Sequence, residues 1–132
     1  MNLKILVMTP SGIIWDADAT EIILPTNTGQ MGVLENHIPL ITALDIGVML
    51  IRQKTKWINI ALMGGFALIQ KNEVTILVNE AEQETSLNLE KVETEFLEAK
   101  KNLEQAETRK DKIEKNLIFK RARARYQVLK KI

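Results

Sequence analysis

A segregated α+β chain, an antiparallel β-sandwich or flattened barrel followed by a helical tail, is predicted by three observations. Every glycine and every proline of the 132 residues lies at or before Gly65. Short apolar and β-branched runs recur through the first 79 residues at spacings of about 8 to 12, the rhythm of a sandwich or barrel. After Ser86 the apolar period becomes three-four, the period of a helix. Together these predict two parts, residues 1–85 and residues 86–132.

In chain order, the strand-like runs are 3–8, 20–24, 46–51, 57–63, 66–69 and 74–78. Pro10-Ser11-Gly12, Asn27-Thr28-Gly29 and Lys71-Asn72 supply turns, because proline fixes φ while glycine and asparagine accept positive φ. The first run puts Leu3, Ile5 and Val7 on one face and Leu6 and Met8 on the other. A strand apolar on both sides is either enclosed or meets a partner. Gly64-Gly65 lacks the Lys-Ser/Thr of a phosphate cradle and reads as a bulge or tight strand junction. The apolar stretches 38–44 and 46–51, divided by Asp45, fall short of the roughly 20 residues a membrane helix needs, so a soluble chain is expected. Met1 leads directly into a strand-like run, without the pattern of a signal peptide.

In the tail, Leu89, Val92, Phe96, Ala99, Leu103 and Ala106 form a coiled-coil-like stripe. The phase continues through Lys110, Ile113, Leu117, Lys120, Ala124 and Gln127 with polar interruptions. Two conformations fit. In one, Asp111 caps a second helix and Glu114 completes a capping box, giving a hairpin. In the other, the absence of breakers lets residues 89–132 form one rod of about 65 Å.

Charge divides along the same line. Residues 1–85 hold 5 Lys+Arg and 9 Asp+Glu (net −4), residues 86–108 hold 3 and 6 (net −3), and residues 109–132 hold 10 and 2 (net +8), summing to +1. The absence of cysteine excludes disulfides, thiolate metal sites and a cysteine nucleophile. His37 is the only histidine and has neither a triad spacing nor a second metal ligand beside it, so it reads as structural or interfacial. Asp16 and Asp18, read as a solvated edge in a loop after Trp15, are rejected as an acid-base pair. No catalytic, cofactor-binding or metal-binding residue emerges.

The segment 117–125, LIFKRARAR, crowds Lys120, Arg121, Arg123 and Arg125 into two turns. Cations so close repel one another in an isolated helix and call for an anionic counterpart. Nucleic acid, a membrane surface and a carboxylate-rich protein surface all meet that demand. Aromatic residues at 5% are few for base stacking, and no nucleic-acid motif is present.

LPTNTGQMGVLENHIPL (24–40), ALMGGFALI (61–69) and VNEAE (78–82), followed by the tail ending in RARAR, resemble the epsilon subunit of F-type ATP synthases from end to end. Trp15-Asp16, ALMGGFA and RARAR are most similar to the chloroplast and cyanobacterial branch. The resemblance implies a ten-stranded β-sandwich that docks on the central rotor, then an antiparallel two-helix hairpin. It implies a non-catalytic rotor subunit that couples gamma to the membrane ring during proton-driven ATP synthesis and restrains ATP hydrolysis through its C-terminal helices.

On the same resemblance, Asn27, Thr28, Gly29 and Gln30 face the membrane rotor ring, and Glu35, Asn36 and His37 lie against the gamma subunit. When the tail extends into the catalytic head, Lys120, Arg121, Arg123 and Arg125 approach an acidic segment of the beta subunit. The implied setting is the stromal side of the chloroplast thylakoid, peripheral to the membrane and away from nucleic acid. A cyanobacterial thylakoid or bacterial inner membrane, on the cytoplasmic side, is the alternative. Some bacterial members bind ATP through Ile/Leu-Asp-x-x-Arg-Ala, where this chain reads Leu87-Asn88-Leu89-Glu90-Lys91-Val92. The aspartate and arginine are both replaced, and lysine does not reproduce a bidentate guanidinium, so no cofactor is expected. The rival reading from the residues alone is a basic-helix module for nucleic acid or a membrane surface.

Overall fold

The computed structural model describes residues 2–130. Eight strands come first: β1 (Leu3–Thr9), β2 (Gly12–Ala19), β3 (Glu21–Thr26), β4 (Gly29–Leu34), β5 (Leu40–Gln53), β6 (Lys56–Gln70), β7 (Glu73–Val78) and β8 (Ala81–Gln83). A 3₁₀ turn at Glu84–Ser86 leads into α1 (Leu89–Gln105) and α2 (Arg109–Lys130).

Eight strands stand where ten were expected, because two long strands each serve both layers. In one layer the order is β2, β1, β7, then residues 65–70 of β6 and the start of β5. In the other it is β8, the start of β6, the end of β5, β3 and β4. The register is the same on both sides of a bend, with Leu44 opposite Gly65 and Ile46 opposite Met63, and Asp45 and Gly64 between them are not paired. Unbroken two-residue alternation would keep one parity facing the core, so the change of inward-facing parity there marks a local break in the alternation. In β6, Ala67 and Ile69 point inward after it, whereas Ile60 and Leu62 do so before it. Gly64, at φ +82°, takes a conformation that favours glycine.

The core lies between the layers. Leu3, Ile5, Val7, Ile76 and Ile69 meet Ile22, Leu24, Val33, Met49, Ile51, Ile60 and Leu62. Each such side chain contributes about 1.5–3 kcal/mol through burial.

Two sequence expectations change here, and the turns hold. The residues around Asp16 and Asp18 form strand β2 rather than a loop, although both carboxylates are exposed along the sheet edge. An edge strand needs only one apolar face, which hides it from a search for apolar runs. β1 and β7 pair in parallel within an otherwise antiparallel arrangement. They are far apart in sequence, so no hairpin dictates their direction. The turns at Pro10-Ser11, Asn27-Thr28 and Lys71-Asn72 fall where proline, glycine and asparagine place them, with Lys71 and Asn72 at positive φ.

The tail is a hairpin and not a single rod. Ala106 is extended at ψ 131°, and the cap of α2 is Thr108, whose Oγ1 accepts a 3.1 Å hydrogen bond from the Asp111 amide. The expected cap at Asp111 is therefore three residues too late. Asp111 occupies the first turn, where a negative charge suits the helix dipole.

Candidate functional site: a docked basic helix and an apolar sheet face

Two faces of α2 have different tasks. One packs on α1: Phe96 stacks on Phe119 with ring centres 5.6 Å apart and on Tyr126 at 4.7 Å, while Ala99 and Ala122 are buried. The other rests on the outer face of the β5–β6 layer, where Ala124 and Val128 pack with Ala61 and Met63, bordered by Ile46, Val48 and Leu87. At 100° per residue, Lys120 and Arg125 flank the stripe of Ala124 and Val128.

Both flanking cations bind carboxylates of the sandwich. Lys120 Nζ lies 2.8 Å from Asp45 Oδ1 and 2.9 Å from Oδ2, and Arg125 Nε lies 2.7 Å from Glu82 Oε2. Asp45 reaches α2 because it stands at the strand bend, where its Oδ1 also accepts the Ile46 amide at 2.8 Å. Burial alone pushes the Asp45 carboxyl up. Hydrogen bonds from Lys120 and the Ile46 amide, together with the charges of Lys120 and Arg123, outweigh that and leave it below the usual aspartate value.

The sequence groups four cations, and the structure divides them. Lys120 and Arg125 face the sandwich, while Arg121 and Arg123 are exposed, with the Arg123 guanidinium 5.4 Å from the Phe119 ring centre. The two expected loops sit at opposite ends of β4. Asn27 and Thr28 form the β3–β4 turn and are followed by Gly29 and Gln30 in the strand, where Thr26 Oγ1 donates to the Gly29 carbonyl at 2.6 Å. Glu35, Asn36 and His37 lie beyond the other end, about 20 Å away. There the Asn36 amide donates to Asn72 Oδ1 at 2.6 Å, and His37 Nδ1 lies 2.7 Å from the Ile38 carbonyl oxygen.

Next to that loop is a surface the sequence indicates only through the two-faced apolar pattern of β1. On the outer side of the first layer, cross-strand register aligns Ala43, Phe66, Leu77, Met8 and Ile13 in one row. Ile41, Leu68, Thr75 and Leu6 form the next row, ending at Asp16. Phe66 is 59% exposed, Leu77 52% and Ile41 71%. Neither described helix packs on these rows, since α2 rests on the opposite layer and α1 on α2. A continuous apolar face on a small protein marks a protein contact.

Among the described residues, no group of three or more histidine and carboxylate side chains is placed to hold a metal. The depression at the start of α1 is lined by Glu82, Asn88, Lys91, Glu95 and Arg125. Its arginine is engaged by Glu82, and two carboxylates at its wall repel phosphate. No described helix is long and apolar enough to cross a membrane.

Comparison with known proteins gives a consistent result. Residues 2–84 match the family model described as ATP synthase, Delta/Epsilon chain, beta-sandwich domain. The chain is 58% identical over 132 residues to the "ATP synthase epsilon chain, chloroplastic" of Chlorella vulgaris, covering 100% of this chain and 98% of that one. It is 55% identical over 132 residues to the "ATP synthase epsilon chain, plastid" of Prototheca wickerhamii, with the same coverage. In fold, it is similar to a chain of the Euglena gracilis mitochondrial ATP synthase with a TM-score of 0.81, at 21% identity, over 93% of this chain and 78% of that chain. A chain of the Tetrahymena thermophila mitochondrial ATP synthase central stalk and c-ring gives a TM-score of 0.66 at 17% identity, over 98% and 97%.

Proposed function

The chain belongs to the delta/epsilon-chain family of ATP synthases, and from that premise we propose that it is a non-catalytic central-stalk subunit of a plastid F-type ATP synthase. Residues 1–85 act as the docking unit that couples gamma to the membrane ring during proton-driven synthesis. Residues 86–132 act as the regulatory unit that restrains ATP hydrolysis. The protein works peripherally on the stromal side of the thylakoid membrane and contributes no active site of its own.

The observation that carries this reading is the uncovered apolar face of the first layer. Its large side chains, Phe66, Leu77 and Ile41, are too exposed to serve the core, and a protein partner accounts for them. Glu35, Asn36 and His37 adjoin Ile38 and β5 at one end of that layer, so gamma engages loop and face together. Asn27, Thr28, Gly29 and Gln30, at the far end of β4, face the ring. Contacts at the two ends of a rigid strand suit a part that transmits torque between two bodies. Arg121 and Arg123, exposed on α2, meet an acidic surface of the beta subunit.

Reconstitution of catalytic heads stripped of this subunit tests the regulatory half. Added full-length chain is expected to lower ATP hydrolysis, and the Arg121→Ala/Arg123→Ala variant to lower it at least about fivefold less effectively while still assembling. Equal inhibition by both proteins contradicts the electrostatic reading.

A further inference from the structure

The rows on the outer side of the first layer change character along the strands. Beyond the row of Ile41, Leu68, Thr75, Leu6 and Asp16, about 7 Å further on, register aligns Gln70, Glu73, Lys4 and Asp18, all exposed. The apolar face thus ends in a charged row, beside the turn where Asn72 meets Asn36. Lys4 stands between Glu73 and Asp18, whereas Asp16 has Leu6 as its cross-strand neighbour. Three carboxylates against one ammonium leave this border negative. Protection of a sheet edge accounts for Asp16 and Asp18 on β2, but Glu73 belongs to β7, which is paired on both sides. The charges follow the apolar face rather than the edge.

We infer that Asp16, Asp18 and Glu73 make this face selective for a partner whose apolar patch is bordered by lysine or arginine, and that they bar a second copy of the chain from it. The inference rests on the docking of gamma proposed above and assigns the contacting surface of gamma its charge. Self-pairing is disfavoured by register. Laid on a second copy about a two-fold axis along the rows, the face sets Leu77 on Glu73, Ile13 on Asp18 and Asp16 on its own counterpart. An axis along the strands, centred on β7, sets Asp16 on Ile41 and Glu73 on its own counterpart. In both, Asp16 and Glu73 meet an apolar side chain or a like charge, and charges buried without partners destabilise such a pair. A cationic border on a different protein removes that penalty. It also steers the encounter, since rim charges act mainly on the association rate and its salt dependence.

Association kinetics of the full-length chain with isolated gamma subunit, followed over a salt series, test the charged border. The variant Asp16→Asn/Asp18→Asn/Glu73→Gln alters only exposed side chains, so its melting temperature should stay near that of the parent chain. Its association rate is expected to fall about tenfold at low salt, its dissociation rate to change less than about threefold, and its salt dependence to flatten. Lys4→Gln carries the opposite sign, and removing this cation is expected to speed association about twofold. In sedimentation equilibrium without gamma, the parent chain is expected to remain monomeric and the neutralised variant to dimerise. Equal association rates and salt slopes for parent and neutralised variant, with Phe66→Asp/Leu77→Asp still losing gamma, overturn the charged border and leave the docking reading standing. A parent chain that dimerises until Phe66→Asp/Leu77→Asp breaks the dimer, or a neutralised variant as monomeric as the parent, overturns the exclusion of a second copy. Failure of the parent chain itself to bind gamma removes the docking reading and the inference with it.

Discussion

Gly65 and Asp45 fix how the sheet changes layers, and each has a measurable signature. A Cβ on Gly65 would land on the Leu77 carbonyl oxygen and lie 2.8 Å from Val78 Cα, backbone atoms that cannot step aside as a flexible side chain would. Gly65→Ala is expected to destabilise the protein by about 3 kcal/mol, read as a lower urea midpoint with an unchanged slope. Asp45 gives a pH signature. Its carboxyl is held below the ordinary aspartate value, so the docking it stabilises is fully present above the unfolded value of about 4 and is lost as pH falls through the folded one. The distance between sandwich and α2 should therefore be constant from about pH 6 to 8 and lengthen only below about pH 4. Asp45 was visible in the sequence as the one charge dividing two apolar stretches, but nothing there named Lys120, 75 residues away, as its partner.

At the scale of elements, the reversal between α1 and α2 rests on Thr108 and the aromatic seam. Thr108→Ala removes the oxygen that accepts the Asp111 amide and should cost about 1 kcal/mol, seen as faster amide exchange in the first turn of α2. Phe96→Ala strips both stacked contacts and should cost about 2 kcal/mol, with loss of protection along α1. The helical period of both segments was readable because it repeats over several turns. The cap was not, since Thr108 and Asp111 are both good capping residues and only geometry chooses between them. The same contrast holds in the sheet. Strands β1 and β7 announce themselves by apolar runs, while β2 and β4 carry exposed carboxylates or glycines at the edges, where one side is free to be polar.

For the whole molecule, an acidic sandwich and a basic tail in one chain meet through Lys120–Asp45 and Arg125–Glu82. The sequence carried the charge asymmetry and the four cations, and resemblance assigned them one direction. Folding divides them, because helix geometry turns Lys120 and Arg125 toward the sandwich and leaves Arg121 and Arg123 outside. The apolar face was foreshadowed by Leu6 and Met8, but its extent depends on cross-strand register, which brings Phe66, Leu77 and Ala43 into line from distant parts of the chain. That face is the surface proposed to dock on gamma. The most direct measurement is the affinity of the full-length chain for isolated gamma subunit, compared with Phe66→Asp/Leu77→Asp, a pair of exposed positions whose substitution should leave the core and the melting temperature nearly unchanged. Binding by the parent chain and a loss of at least about 100-fold in the variant are expected; equal affinity of the two proteins, or no binding by either, would contradict docking on gamma through this face.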